Sequence, residues 1–186
     1  MNENYSHPKR PKNATTENII KGAYKYLENK DPSLRILASG VTLNFAIDAE
    51  KELKKLGIST EIWSITSFNE LYKDGIEVER LNRYENKKSV SYVESCFSEC
   101  LPTVAVSEYV RAYTNQIRQW VNGDYITLGT DGFGRSDTRE ELRNYFEISK
   151  DHIVINALIV SGNKDKAEKY IKDKKIDLNA KAPWLR

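Results

Sequence analysis

Leu34-Arg-Ile-Leu-Ala38, broken by Ser39-Gly40 and followed by apolar residues at Leu43, Ala46, Ile47, Ala49, Leu53 and Leu56, decides the fold class. The first five residues form a short apolar run bounded by a turn signal, as a buried strand does. The residues after Gly40 repeat their apolar positions at the helical period, with Lys and Glu between them. Gly57 stands just past the last of these, where a helix end favours glycine. Ser59-Thr-Glu-Ile-Trp-Ser-Ile65 then alternates and is rich in strand formers. Two strands joined through a helix by short turns form a parallel pair, because parallel neighbours require a crossover.

Toward the C-terminus the same alternation continues. An irregular helix is expected from Phe68 to about Tyr84, then a polar breaker at Glu85-Asn-Lys-Lys88. Ser89–Val93 reads equally as strand or helix. Thr103-Val-Ala-Val106 is an expected buried strand, and Tyr109, Tyr113, Ile117, Trp120 and Val121 mark one face of a following helix that Asn122-Gly123 ends. Asp124–Leu128 is a further strand candidate. Gly129-Thr-Asp-Gly-Phe-Gly-Arg-Ser-Asp137 is a glycine-rich turn into a helix, with Asp137 and Glu140 spaced as a capping pair and Leu142, Tyr145 and Phe146 as the buried face. Asp165–Lys175 reads as a polar helix, and Pro183–Arg186 as a docked or frayed end. On the N-terminal side, Thr15 or Thr16 can cap a short helix through Ile20, and Tyr24–Leu27 is either its end or a strand. The sum is an α/β sandwich around a mostly parallel sheet of about five strands.

Composition narrows the function classes. The chain has 186 residues, within the size of one domain, with 39% hydrophobic and 30% charged residues. No apolar run approaches the ~20 residues of a membrane span. MNENYSHPKRPKN lacks an apolar core, so no signal peptide is expected and the cytoplasm is the default location. The net charge of +2 balances 29 basic against 27 acidic residues, interspersed, which argues against a nucleic-acid surface.

Candidate chemistry is sparse. The turn spacing G-x-x-G-x-G is neither a dinucleotide fingerprint nor a P-loop. Its helix start and Arg135 could meet an anion, but Asp131 and Asp137 bring negative charge to the same place, so a structural turn and cap is the reading for Gly129, Asp131, Gly132, Phe133, Gly134, Arg135, Ser136, Asp137 and Glu140. Ser39-Gly40 has too few glycines to cradle a pyrophosphate. Cys96 and Cys100 would share a face if helical, yet the only histidines, His7 and His152, are far away in sequence, so structural thiols are expected rather than a metal site. His152 reads as a surface or capping residue, and Glu140-Glu141 as a solvated pair.

Three stretches carry a resemblance. Gly129–Glu147, Ile65–Gly75 with Glu79-Arg80, and Met1-Asn-Glu-Asn-Tyr5 with His7-Pro8 resemble the C-terminal domain of the homodimeric bacterial pyruvate dehydrogenase decarboxylase family. The resemblance implies a transketolase-like third domain, a three-layer sandwich, with residues 1–14 as a linker arm from the preceding domain and 15–186 as the domain itself. It implies thiamine diphosphate and magnesium in the two earlier domains across a homodimer interface, with no cofactor, metal or catalytic residue on this chain. The implied partners are those preceding domains, a homodimer partner and the dihydrolipoyl acetyltransferase component, with no nucleic acid and no membrane. It also implies that Ile153–Val160 is helical, although its β-branched run alone favours a strand. Ser95–Pro102 and the region after Val160 depart from the family's pattern. A freestanding interaction subunit of a split enzyme, or an anion-binding regulatory domain using Arg135, are the competing expectations.

Overall fold

The structure is a computed structural model that describes residues 6–85 and 88–186. Two stretches singled out in the sequence, Met1–Tyr5 and Asn86-Lys87 of the polar breaker, lie outside the described residues.

Thr15 is extended and its side chain accepts the Asn18 amide, which starts α1 (Thr16–Lys21). Gly22 follows in the left-handed region at φ +107°, and the chain turns into β1 (Ala23–Glu28). Tyr24–Leu27 is thus strand, not helix end. The deciding stretch then folds as read: β2 (Leu34–Ser39), α2 (Thr42–Lys55) and β3 (Thr60–Ile65), with β2 and β3 parallel in the register Leu34↔Thr60 to Ser39↔Ile65.

Beyond it come α3 (Phe68–Glu85), α4 (Tyr92–Cys96), β4 (Thr103–Val106), α5 (Arg111–Asn115), β5 (Tyr125–Leu128), α6 (Arg139–Tyr145), α7 (Lys150–Val160) and α8 (Lys164–Lys174). The ambiguous Ser89–Val93 resolves into the cap of α4, with the Ser91 hydroxyl accepting the Glu94 amide. Because α4 stops at Cys96, the two free cysteines do not share a helical face.

The five strands run in the order β1-β3-β2-β4-β5, all parallel except β1, which pairs antiparallel with β3. On one face Leu34, Ile36, Ala38, Ile62, Val104 and Val106 pack under α2, α7 and α8. On the other, Leu37, Trp63, Ile65 and Ala105 pack under α3, α4 and the segment around Ile117 and Trp120. The three layers of the expected sandwich are therefore present.

The helix α7 explains why its sequence misleads. It lies against α2, α8, β4 and β5 and buries Ile153, Val154, Ile155, Ala157 and Leu158. A helix enclosed on most sides shows no apolar stripe, so its residues look like a strand's.

Two expectations are corrected. The single helix through Tyr109–Val121 is instead α5 and a separate 3₁₀ turn at Arg118–Trp120. The helix begins only at Arg111, after an extended Val110, which leaves Tyr109 outside it and 65% exposed. At its other end the buried Tyr125 hydroxyl donates to the Thr114 carbonyl at 2.7 Å. The expected buried face of α6 is only half-buried at Leu142, Tyr145 and Phe146, because α6 lies outside the sheet rather than on it.

Candidate functional site

In open parallel sheets ligands settle beyond the carboxyl ends of the strands, where the strand order reverses. Here that crevice lies between β2 and β4, since β3 and β4 flank β2 on opposite sides. It is filled by the protein itself. The fully buried Thr42 hydroxyl lies 2.8 Å from the Ser39 carbonyl and 3.1 Å from the Val106 carbonyl, and it accepts the Ser39 amide at 3.1 Å. Ser39-Gly40 is thus a tight turn plugged by its own neighbour.

The loops beside the plug hold the glycine-rich turn. Arg111 donates to both oxygens of Asp131, from its backbone amide at 2.9 Å and from Nε at 2.6 Å. Thr130 ties the turn to the loop after β4, its amide donating to the Tyr109 carbonyl and its hydroxyl to the Glu108 carbonyl. Gly129 is needed for that approach, because a Cβ there would stand 2.5 Å from the Tyr109 carbonyl oxygen. Gly132 lies at φ +105° against Pro183 and Trp184 of the C-terminal tail. Arg135 reaches the same tail, donating to the Arg186 carbonyl at 2.7 Å and to the Tyr145 hydroxyl at 3.3 Å. Trp184 in turn lies under the Arg111 guanidinium at 4.4 Å.

The sequence-read site residues are placed as follows. Gly129, Asp131, Gly132 and Arg135 are brought together as the frame of the turn. Phe133, Gly134 and Ser136 are exposed on its outside. The cap assigned to Asp137 and Glu140 falls one residue later. Thr138 is the extended cap residue and its hydroxyl accepts the Glu141 amide at 3.3 Å, while the Asp137 carboxylate folds onto the adjacent Thr138 amide at 2.7 Å. Arg135 spends Nε and Nη2 on contacts within the chain, so its side chain serves the turn and the tail.

His152 meets the Ser149 hydroxyl at 2.9 Å at the start of α7, and burial, the largest influence, lowers its pKa. The neighbouring Asp151 carboxylate is taken by the Tyr170 hydroxyl at 2.6 Å. The pair is a local helix-start contact.

One constellation escaped the sequence reading. Arg35 and Glu61 are register partners on β2 and β3, both 1% exposed, and Arg35 Nε donates to Glu61 Oε1 at 2.6 Å. Trp63 Nε1 donates to the same oxygen at 3.0 Å, and Lys25 lies 2.9 Å from the other. Arg35 also reaches the Glu99 carbonyl. Burial is the largest influence on Glu61 and would raise its pKa; the hydrogen bonds from Arg35, Lys25 and Trp63 outweigh it and hold the carboxyl below its ordinary value. The available signal was a lone Arg inside the apolar β2 beside a Glu at the matching position of its parallel neighbour.

The sequence profile described as "Transketolase-like TK C-terminal domain" matches residues 22–149. This chain belongs to that family. The transketolase-like domain is 46% identical over 166 residues to the pyruvate dehydrogenase E1 component of Pseudomonas aeruginosa, covering 85% of this chain and 19% of that protein. To the E1 component of Cupriavidus necator it is 38% identical over 196 residues, covering 98% of this chain and 22% of that one. It therefore spans about a fifth of the length of the curated relatives it matches. Its fold matches transketolase from Leishmania mexicana with a TM-score of 0.59 at 20% identity, over 81% of this chain and 19% of the other. A structure described as "Split gene transketolase, inactive beta4 tetramer" matches over 77% of this chain and 43% of that chain, with a TM-score of 0.52 at 14% identity.

Proposed function

We propose that this chain is the C-terminal domain of a pyruvate dehydrogenase E1 component, that it completes the structure and the homodimer, and that it is inactive alone. Residues 15–186 are the domain and 1–14 the arm from the domain before it. The match to E1 components over 85–98% of this chain, within only 19–22% of their length, supports this reading. In the whole enzyme, a cytoplasmic homodimer, pyruvate is oxidatively decarboxylated and the acetyl unit passes to a lipoyl group of the dihydrolipoyl acetyltransferase component. Thiamine diphosphate and magnesium supply the carbanion-stabilising chemistry there, in the preceding domains.

The residues present do not fit that cofactor. Magnesium needs several free oxygen ligands converging on one point, and the diphosphate it bridges needs free N–H or cationic donors beside them. The carboxylates of the turn, Asp131 and Asp137, are occupied by Arg111 and by the Thr138 amide. Among the described residues no three His, Cys, Asp or Glu side chains come together as a metal site, and no helix is long and apolar enough to cross a membrane.

Calorimetry with thiamine diphosphate and magnesium tests the reading. No binding to the isolated chain is expected, and tight one-to-one binding would overturn it, as would pyruvate turnover by the chain alone. A second reading, a separately encoded subunit of a split enzyme, is favoured by the split-gene, inactive tetramer among the structural neighbours. Restored decarboxylation on mixing this chain with a partner carrying the earlier domains is its expected result.

A further inference from the structure

The carboxyl edge of the sheet displays large apolar side chains on a rigid frame. Phe133 is 83% exposed at the tip of the turn, yet the backbone on either side of it is fastened by Arg111–Asp131 and by Arg135 to the tail. Tyr109 and Val110, on the loop after β4, and Trp184 and Leu185, on the tail, are also exposed. These three segments touch one another, through Tyr109 with Thr130, Gly132 with Trp184, and Arg111 with Trp184. Five exposed apolar residues on touching segments form a patch of the sort that marks a binding surface rather than scattered exposure. A frame that needs no ordering before contact loses little entropy on binding, and aromatic anchors are the side chains that carry interface energy.

The path of the chain says what covers it. The Ser6 carbonyl accepts from Asn44 Nδ2 at 3.2 Å, on the first turn of α2. Since α2 leaves the carboxyl end of β2, the arm enters the domain at the same edge as the patch. Phe45, the next residue of α2, lies under the Arg143 guanidinium of α6 at 4.5 Å, so the arm's entry and the helix that follows the turn are neighbours.

We infer that the Tyr109–Val110, Phe133 and Trp184–Leu185 surface docks onto the polypeptide preceding this domain in a full-length enzyme, with Phe133 as the anchor that enters an apolar pocket of that partner. The inference rests on the reading of the chain as a C-terminal domain and adds the surface through which it joins the rest.

The test is a chimera of the Pseudomonas aeruginosa E1 component in which this chain replaces the matched fifth, compared with the isolated chain by hydrogen exchange. Exchange at residues 108–111 and 131–135 is expected to slow at least tenfold in the chimera, with no change around the exposed Tyr84 at the far end of α3. Phe133→Asp in the chimera removes that protection, whereas Tyr84→Asp leaves it in place. Protection confined to another surface, or protection that survives Phe133→Asp, overturns the inference. If the chimera does not fold, the same measurement is made on this chain mixed with the relative lacking that fifth, where absence of protection counts against it equally. Protection that appears in the isolated chain as its concentration rises, with none from the partner, assigns the patch to a second copy and overturns the inference as well. None of these failures touches the parent reading, which falls only if the isolated chain binds the cofactor or turns over pyruvate.

Discussion

Near the amino ends of β2 and β3 the charges of Lys25, Arg35 and Glu61 turn inward and meet one another under Trp63 and Phe97. At the carboxyl edge, Arg111, Asp131 and Arg135 hold loops together while the aromatic residues face out. One edge uses its charges to close the domain, and the other uses them to stiffen a surface left open. The difference predicts where substitutions damage the chain alone and where they damage only what the chain joins.

The largest effect is expected at the closed edge. Removing one partner of a buried ion pair leaves the other charge without compensation, which costs about 3–5 kcal/mol. Glu61→Ala and Arg35→Ala are each expected to lower unfolding stability by that much, measured in denaturant. Arg35→Met combined with Glu61→Leu removes both fully buried charges and is expected to cost less than the two single changes added, because the one charge left, the partly exposed Lys25, keeps its pairing with Glu28 at 2.6 Å. Near-additive losses would show that the pair is not what closes this edge. Acid should act at the same place. The folded pKa of Glu61 is depressed, so its contribution is complete above the ordinary carboxylate value of 4.5 and is lost as pH falls below it toward the folded value. Stability measured from pH 6 downward should fall more steeply for the parent chain than for the double variant.

At the carboxyl edge the frame of the turn is next in size. Gly129→Ala would place a Cβ 2.5 Å from the Tyr109 carbonyl oxygen and 2.7 Å from the Arg111 amide, both backbone atoms that cannot simply rotate away. A loss of about 1–3 kcal/mol is expected, with the Thr130–Tyr109 tie broken, as seen by exchange at the Thr130 amide. A loss below about 0.5 kcal/mol would show the turn to be looser than its contacts imply.

Thr138→Ala tests the register of α6. Loss of a side-chain cap costs about 1 kcal/mol, so Thr138→Ala should exceed Asp137→Ala in thermal unfolding. The reverse order would restore Asp137 as the cap.

These residues show how much the sequence discloses. The β2–α2–β3 unit was legible because both halves of its signal, a short apolar run and a helical stripe, follow from one buried face. The turn was legible as a turn, since glycine spacing reports backbone demand directly. The cap was misplaced by one residue because Asp137 and Thr138 are both good cap residues and only the backbone chooses between them. The buried charge pair was hidden because Arg35 and Glu61 are 26 residues apart in sequence and meet only through the strand register. Helix α7 was hidden from periodicity for the opposite reason, as burial on most sides erases it; the family resemblance alone gave Ile153–Val160 as helix, and helix it is. The exposed aromatic surface could not be read at all, because an apolar residue in a sequence counts toward the core until the fold shows which way it faces.

The smallest effect on stability is expected at the most exposed aromatic residue. Phe133 is 83% exposed, so the isolated chain gains little from it, and exposed substitutions away from caps and strained backbone stay within about 0.5 kcal/mol. Phe133→Asp should leave the denaturant midpoint of the isolated chain nearly unchanged, in contrast to Glu61→Ala. Burying a large aromatic side chain is worth about 1.5–3 kcal/mol, so the same change in a joined enzyme should weaken docking by an amount the isolated domain never registers. A melting temperature of the isolated chain lowered as far by Phe133→Asp as by Glu61→Ala would mean that Phe133 packs within the domain, and the two edges would no longer differ.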